Sequence, residues 1–343
     1  MANSGIELTL LVPGLLGPVT GVPRQYLAAE QDWPGLASLL EHSKDSAWPQ
    51  EVPELALAEL FGWAEAASAP LAALSYRGDF GKPPAGAVLR ADLVHLQAGA
   101  QDVLQYDANR LAITLSEAEA LLSALNALVR GDGLWFEMAT PQRWYLRLST
   151  CAVHTTPLSQ SLGRALAPLM PRGEQGSWLR TLLTELQMLL HQHPVNQHRE
   201  AQGSQTINGI WLWGEGEDRE AAPSMHWTGA YGDEALLRGL VQAAQGRLLP
   251  LPAQADELMR LEGRWLLLLM DAWYPARYGD LQAWQQVLTQ WDAHWFLPLA
   301  EALQVGRLSQ LTLLPLRGLR HVYTRRRWYD WRRGTGSLIE RLG

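Results

Sequence analysis

The chain has 343 residues, 47% of them hydrophobic and 18% charged, which gives material for one large or two modest domains and excludes a disordered chain. The formal charge is -7, and a single cysteine, Cys151, excludes an intramolecular disulfide framework and a multi-cysteine zinc site. No apolar run reaches the roughly 18 residues of a membrane span, and the first residues lack a basic start and a long apolar block, so a cytoplasmic protein without a signal peptide is expected.

Ile6–Val12 is a continuous apolar and β-branched run that stops at Pro13-Gly14, which predicts a buried strand followed by a turn. Helices are predicted over Gln25–Glu41 and Pro53–Ala67, then a Gly- and Pro-rich loop or domain crossing over Ala69–Gly86. Val88–Gln97 reads as a strand. Ser116–Leu128 reads as a helix whose Ser116 and Glu119 form a capping box. Trp135–Glu137 and Trp144–Leu148 read as a hairpin, and Ser177–Leu190 carries leucines at helical spacing. Ile210–Trp213, Trp265–Met270 and Leu311–Leu314 are short buried strands, with helices over Asp233–Gln245 and Leu281–Leu303. Alternation of strand and helix at both ends predicts an α/β sheet with a mixed insert.

Common catalytic motifs are missing. There is no Gly-x-Ser-x-Gly elbow, and neither lysine, Lys44 or Lys82, sits in a phosphate loop. Gly214-Glu-Gly216 is half of a dinucleotide fingerprint, with an acid where a pyrophosphate would lie. His191, His193 and His198, with Glu185 and Glu200 nearby, offer metal-ligand chemistry, but His191 and His193 point to different sides of a helix. A hydrogen-bonding role is the simpler expectation, helped by the helix dipole. Asp92 and His95 are an acid–base pair in composition, yet three residues apart on a strand they face opposite sides. Sixteen tryptophans can fill a core or build a groove for a partner, including a second copy of the chain. Residues 305–343 hold nine arginines against Asp330 and Glu340, interleaved near the end with Tyr323, Trp328, Tyr329 and Trp331. That pattern fits nucleic acid through charge and stacking, or docking on an acidic protein surface, and the second is preferred.

The stretch from His193 to Gly216 has the skeleton His193, Asn196, Arg199, Gly203, Asn208, then an apolar run and Gly214-x-Gly216. This spacing resembles a signature of the archaeal-type cofactor-independent phosphoglycerate mutases, of the alkaline phosphatase superfamily. The blocks ADLVHL (Ala91–Leu96), TTPL (Thr155–Leu158), HPVN (His193–Asn196) and IWLWG (Ile210–Gly214) resemble, over most of the chain, bacterial RpfE-type regulatory proteins. The resemblance implies an alkaline-phosphatase-like α/β core sheet flanked by helices, with an inserted α+β domain. The expected division is a discontinuous core of residues 1–80 and 210–343 around an insert of residues 81–209.

The mutases use a serine nucleophile and two divalent metals, typically manganese, to move a phosphoryl group between hydroxyls of phosphoglycerate. The metal-binding aspartate after the first strand falls here on Pro13, before Gly14. The nucleophile precedes an element similar to Leu60-Phe61-Gly62-Trp63, and Glu51–Glu59 contains no serine or threonine. An Asp-x3-His pair, flanked by matches to Trp265–Met270 and Gly279-Asp280, falls on Trp273 and Arg277. The family's Asp-His dipeptide is absent. Asp92 matches the strand that begins the insert, but its arginine and asparagine become Leu96 and Ala98, and a substrate-side arginine becomes Trp213. Scaffold positions are kept while chemistry positions are lost. The chain is therefore expected to be a catalytically inactive, regulatory or binding protein without a cofactor. Its expected partner is a protein or a phosphorylated small molecule, bound through His193, Asn196, Arg199 and Asn208. The alternative is an active mutase or phosphatase using manganese or magnesium on His191, His193, Asp271 and Asp280.

Overall fold

The computed structural model describes residues 5–27, 32–63, 65–99, 103–216, 226–324 and Leu342. Along the chain run β1 (Ile6–Leu11), α1 (Pro34–Glu41), β2 (Lys44–Ala47), α2 (Pro53–Leu60), α3 (Leu71–Phe80), β3 (Ala87–Ala98), β4 (Val103–Asp107) and α4 (Leu115–Val129). Next come β5 (Trp135–Thr140), β6 (Arg143–Leu148), α5 (Leu158–Ser161), α6 (Gly176–Gln192), α7 (Pro194–Ala201), β7 (Gly209–Gly216), β8 (Gly229–Tyr231) and α8 (Ala235–Ala243). The last are β9 (Leu248–Leu249), β10 (Gly263–Leu268), α9 (Trp273–Tyr278), α10 (Leu281–Trp291), α11 (Leu297–Val305), β11 (Leu308–Leu314) and β12 (Leu319–Thr324). Two units are distinguished by their packing. Unit 1 is Met1–Ala56, Ser224–Asp233 and Gln245–Gly343, and unit 2 is Leu57–Pro223 with Glu234–Ala244.

Unit 1 is built on a sheet of order β2-β12-β11-β1-β10-β8-β9. β1 lies between β10 and β11 and is parallel to both. A strand covered on both faces needs apolar residues on both, which is why Leu8, Leu10 and Leu11 of β1 and Trp265, Leu266, Leu267 and Leu268 of β10 are all buried. β12 and β2 close one edge with antiparallel pairing. The core joins Leu8 and Leu10 of β1 to Trp33, Trp265, Trp284, Phe296 and Leu313, so many tryptophans fill space, as expected of large apolar side chains.

Two helices of unit 1 differ from expectation. Within the span Gln25–Glu41 a short 3-10 turn, Arg24–Tyr26, precedes α1, which begins only at Pro34, where a fixed φ suits the first helical position. The long helix Leu281–Leu303 is α10 and α11 joined by a π turn over Asp292–Phe296. Pro298 has no N–H for the turn before it, and the wider turn absorbs that loss. The π turn aims Asp292 at the start of α1, which has no cap of its own. The Asp292 carboxylate accepts from the N–H of Gly35 at 3.1 Å and of Leu36 at 2.6 Å. Burial pushes its pKa up, opposed by those two N–H groups. Asp292→Ala would orphan two buried donors, and a loss of about 1–3 kcal/mol is expected in denaturant unfolding. Asp292→Asn keeps an acceptor and should lose less. Equal losses in both variants would show that the cap is not the source.

Unit 2 holds a sheet of β4, β3, β6 and β5, with β7 added against β3. On β3, Ala87, Leu89, Ala91 and Leu93 face a core made with Leu121, Leu125, Leu182 and Leu186 of α4 and α6. Val88 faces the other way, toward Ala72, Ala73 and Tyr76 of α3. The expected hairpin is β5–β6, and α6 and α8 lie where their leucine patterns placed them. The helix predicted over Pro53–Ala67 stops at Leu60, ahead of Gly62 with φ +91°, and Ala66–Ser68 is a separate 3-10 turn. The cap of α4 is Thr114 with Glu117, two residues before the predicted pair Ser116 and Glu119.

The stretch Ala69–Gly86, expected as a loop, contains α3. Leu71 through Tyr76 are all buried, so the first six residues of the helix show no alternation of apolar and polar faces. Its Gly78 is a contact point and not a break. A Cβ there would lie 2.0 Å from the carbonyl oxygen of Ala235, and one on Gly239 would lie 1.7 Å from that of Leu74. Paired glycines thus let α3 and α8 cross backbone to backbone.

Among the described residues no helix is long and apolar enough to cross a membrane.

Candidate functional site

The segment singled out by its spacing is a chain of backbone ties within unit 2. His193 caps α7, its Nδ1 accepting from Val195 N–H at 3.2 Å, and burial lowers its pKa. Asn196, 2% exposed, donates to the carbonyls of Leu190 and Ile207 and accepts from Ile207 N–H at 2.7 Å. Arg199, 6% exposed, makes a bidentate pair with Glu117 at 2.7 and 2.8 Å and donates to the carbonyls of Leu111 and Gln205. Asn208 bridges the N–H and carbonyl of Leu96 on β3. Gly214 and Gly216 have positive φ, and a Cβ on Gly216 would lie 2.6 Å from Pro70. All four candidate ligand residues make hydrogen bonds that hold α7, β7 and their neighbours in place.

Glu215, between those glycines, accepts from the backbone N–H of Thr155 and from its hydroxyl, which in turn accepts from Gly214 N–H. The TTPL block is therefore the clasp on β7, reinforced by the Trp211 indole donating to Thr156 O at 2.8 Å. Nearby, burial and the charge of Glu215 push the Cys151 thiol up to about 12, which disfavours the thiolate.

Asp92 is buried and both its oxygens are taken. Arg90 donates to one at 2.6 Å and the Trp213 indole to the other at 2.6 Å. The Arg90 guanidinium also lies over the rings of Tyr145 and Trp213. His95 does not share this environment; it bonds Thr206 O at 2.8 Å. Asp92 and Trp213, matched separately to two positions of the mutases, are thus direct partners.

Ligands of open parallel sheets sit outside the carboxyl ends of the strands. In unit 1 that edge brings together the three positions matched to metal ligands. Pro13 and Gly14 are buried just after β1. A Cβ on Gly14 would lie 2.6 Å from Ala272 O and 3.0 Å from Trp273 Cα. Trp273 is 6% exposed, and the Arg277 guanidinium lies 4.4 Å from its ring centre. Proline, an indole and a guanidinium offer a divalent cation no oxygen or imidazole, so these residues do not fit a metal.

The substitute ligand set is divided between the two units. Asp280 caps α10, accepting from Ala283 N–H at 3.0 Å, and His193 is engaged on α7, while Asp271 and His191 are exposed. Among the described residues no group of three or more His, Cys, Asp or Glu side chains could hold a metal ion. Of the basic tail, Arg325–Arg327, Trp328, Tyr329 and Trp331–Arg333 lie outside the described residues. A cavity open to solvent lies between α1, α11 and β12, lined by Leu39, His42, Leu303 and Tyr323; of the residues singled out from sequence it includes Tyr323 alone.

The largest polar cluster was not foreseen. Asp79 on α3, its side chain 3% exposed, accepts two bonds from Arg143 at 2.6 and 2.7 Å, one from the Tyr145 hydroxyl at 2.6 Å and one from Arg238 at 2.7 Å. Burial pushes this carboxyl up, but the donors outweigh it and hold it below its ordinary value. The signal was hidden because its members come from α3, β6 and α8.

Residues 60–196 match the family of 2,3-bisphosphoglycerate-independent phosphoglycerate mutases. The mutase of Methanothrix thermoacetophila is 29% identical over 192 residues, 54% of this chain and 46% of that protein. The probable mutase of Geobacter sulfurreducens is 27% identical over 150 residues, 43% of this chain and 37% of that protein. The matches thus span less than half the length of these curated relatives. A solved protein of Pyrococcus horikoshii shares the fold, with a TM-score of 0.50 and 13% identity over 94% of this chain and 87% of that one. The chain is thus an α/β protein similar, over part of its length, to 2,3-bisphosphoglycerate-independent phosphoglycerate mutases.

Proposed function

We propose that this chain is a phosphoglycerate-mutase-like protein that has given up catalysis and acts by binding, as a regulatory protein for a protein partner or a phosphorylated small molecule. One observation carries the reading. The three matched ligand positions meet at the carboxyl edge of the unit 1 sheet, and they are Pro13, Trp273 and Arg277. The parallel pairing of β1 with β10 and the shared helix of Trp273 and Arg277 bring them together. Their chemistry argues against phosphoryl transfer, which needs a cation there to neutralise charge. The stretch before Leu60 offers no hydroxyl nucleophile either. The resemblance to RpfE-type regulatory proteins agrees with this reading.

A coupled mutase assay on the purified chain, with manganese and magnesium in excess, tests it. No turnover above a blank is expected. Turnover that survives repurification would overturn the reading.

A further inference from the structure

Resting on the inactive reading above, we infer that the metal site of unit 1 is closed in the backbone, and not merely stripped of its ligand side chains. A stripped site would keep a gap between the strand ends into which carboxylates could be put back. A two-metal site needs room for ions about 3.5–4 Å apart, each with its own shell of donors.

No such gap exists after β1. Gly14, at φ +78°, rests directly on Ala272 and Trp273, so that even a methyl group would collide with Ala272 O at 2.6 Å. Further along, Thr20 N–H donates to Ala276 O at 2.8 Å, and a Cβ on Gly279 would lie 2.5 Å from Thr20 O. The turn after β1 and the α9 segment are therefore laced together at both ends. Trp284 fixes the closure from below. Its indole, fully buried, donates to Gly14 O at 2.7 Å and stands edge-on to Trp33 with ring centres 5.6 Å apart. Trp273 fills the remaining space, with Arg277 stacked on it. Closure by main chain and two indoles makes this edge a packed part of the core, which needs no cation to hold it.

The test is to restore the matched ligands and measure Mn2+ binding by the loss of the free-ion EPR signal. The variants are P13D/W273D/R277H and the milder P13D/R277H, which keeps Trp273 in place. Folding is checked by circular dichroism. With equimolar Mn2+, each folded variant is expected to leave the free-ion signal as it is with buffer alone. The unfolding midpoint of the wild-type chain is expected to be the same in millimolar Mn2+ and in chelator. Loss of half the free signal with either variant would overturn the closed backbone while leaving the inactive reading intact. A rise of the wild-type midpoint with Mn2+ would overturn it even if both variants fail to fold. Turnover by the wild type, by contrast, would overturn the reading on which it rests.

Discussion

Asp79→Ala is expected to destabilise unit 2 by about 3–5 kcal/mol, the range for removing one partner of a buried ionic cluster. The carboxylate takes two guanidiniums, of Arg143 and Arg238, and also the Tyr145 hydroxyl. Its removal leaves two cations and a phenol facing each other where α3, β6 and α8 meet. The loss comes from uncompensated charge more than from the bonds themselves. Adding R143M and R238M to Asp79→Ala should therefore recover part of the stability, although three polar groups are then missing in place of one. The measurement is the denaturant midpoint of each variant. A loss under about 1 kcal/mol would place Asp79 with ordinary surface pairs and overturn this account.

Arg199→Ala has the second largest expected effect, about 3 kcal/mol, because a buried charge pair and two carbonyls lose their donor together. It also carries a pH signature. Hydrogen bonds from Arg199, with burial opposing and Thr114 assisting, hold the Glu117 carboxyl down from 4.5 to about 2. A carboxyl whose folded value lies below its unfolded one stabilises fully above the unfolded value and loses that contribution as pH falls toward the folded one. The wild-type chain should therefore lose this contribution between pH 4.5 and about 2. Arg199→Ala should start lower and change less across that window. Parallel pH profiles for the two chains would show that Arg199 does not act through Glu117. A binding role for Arg199 would show differently, as lost ligand affinity with the midpoint unchanged.

The elements legible in the sequence are those whose burial leaves a period. β1, β10 and β11 read as short strands rich in buried leucine, and α6 as an amphipathic stripe. The buried first six residues of α3 show no polar stripe, and its glycine looked like punctuation when it was the point of closest approach. β12, with His321 buried against Asp45 of β2, has too mixed a pattern to stand out. At the site, residue type was legible and partnership was not. Asn196 and Arg199 looked like ligand residues because the same side chains that grip an anion also grip a backbone. Only their neighbours, Ile207 and Glu117, decide which of the two they do.

The position of β1 in its sheet has a consequence for how the chain is made. Ile6 pairs with Gly263 on one side and Leu308 on the other. At about 5–20 residues per second, the ribosome takes roughly 13–50 s after β1 to deliver even the first of these partners. Throughout that time a strand that is apolar along nearly its whole length has no sheet to join. β1 thus waits for its partners through most of synthesis, and a slowed ribosome lengthens that wait in proportion.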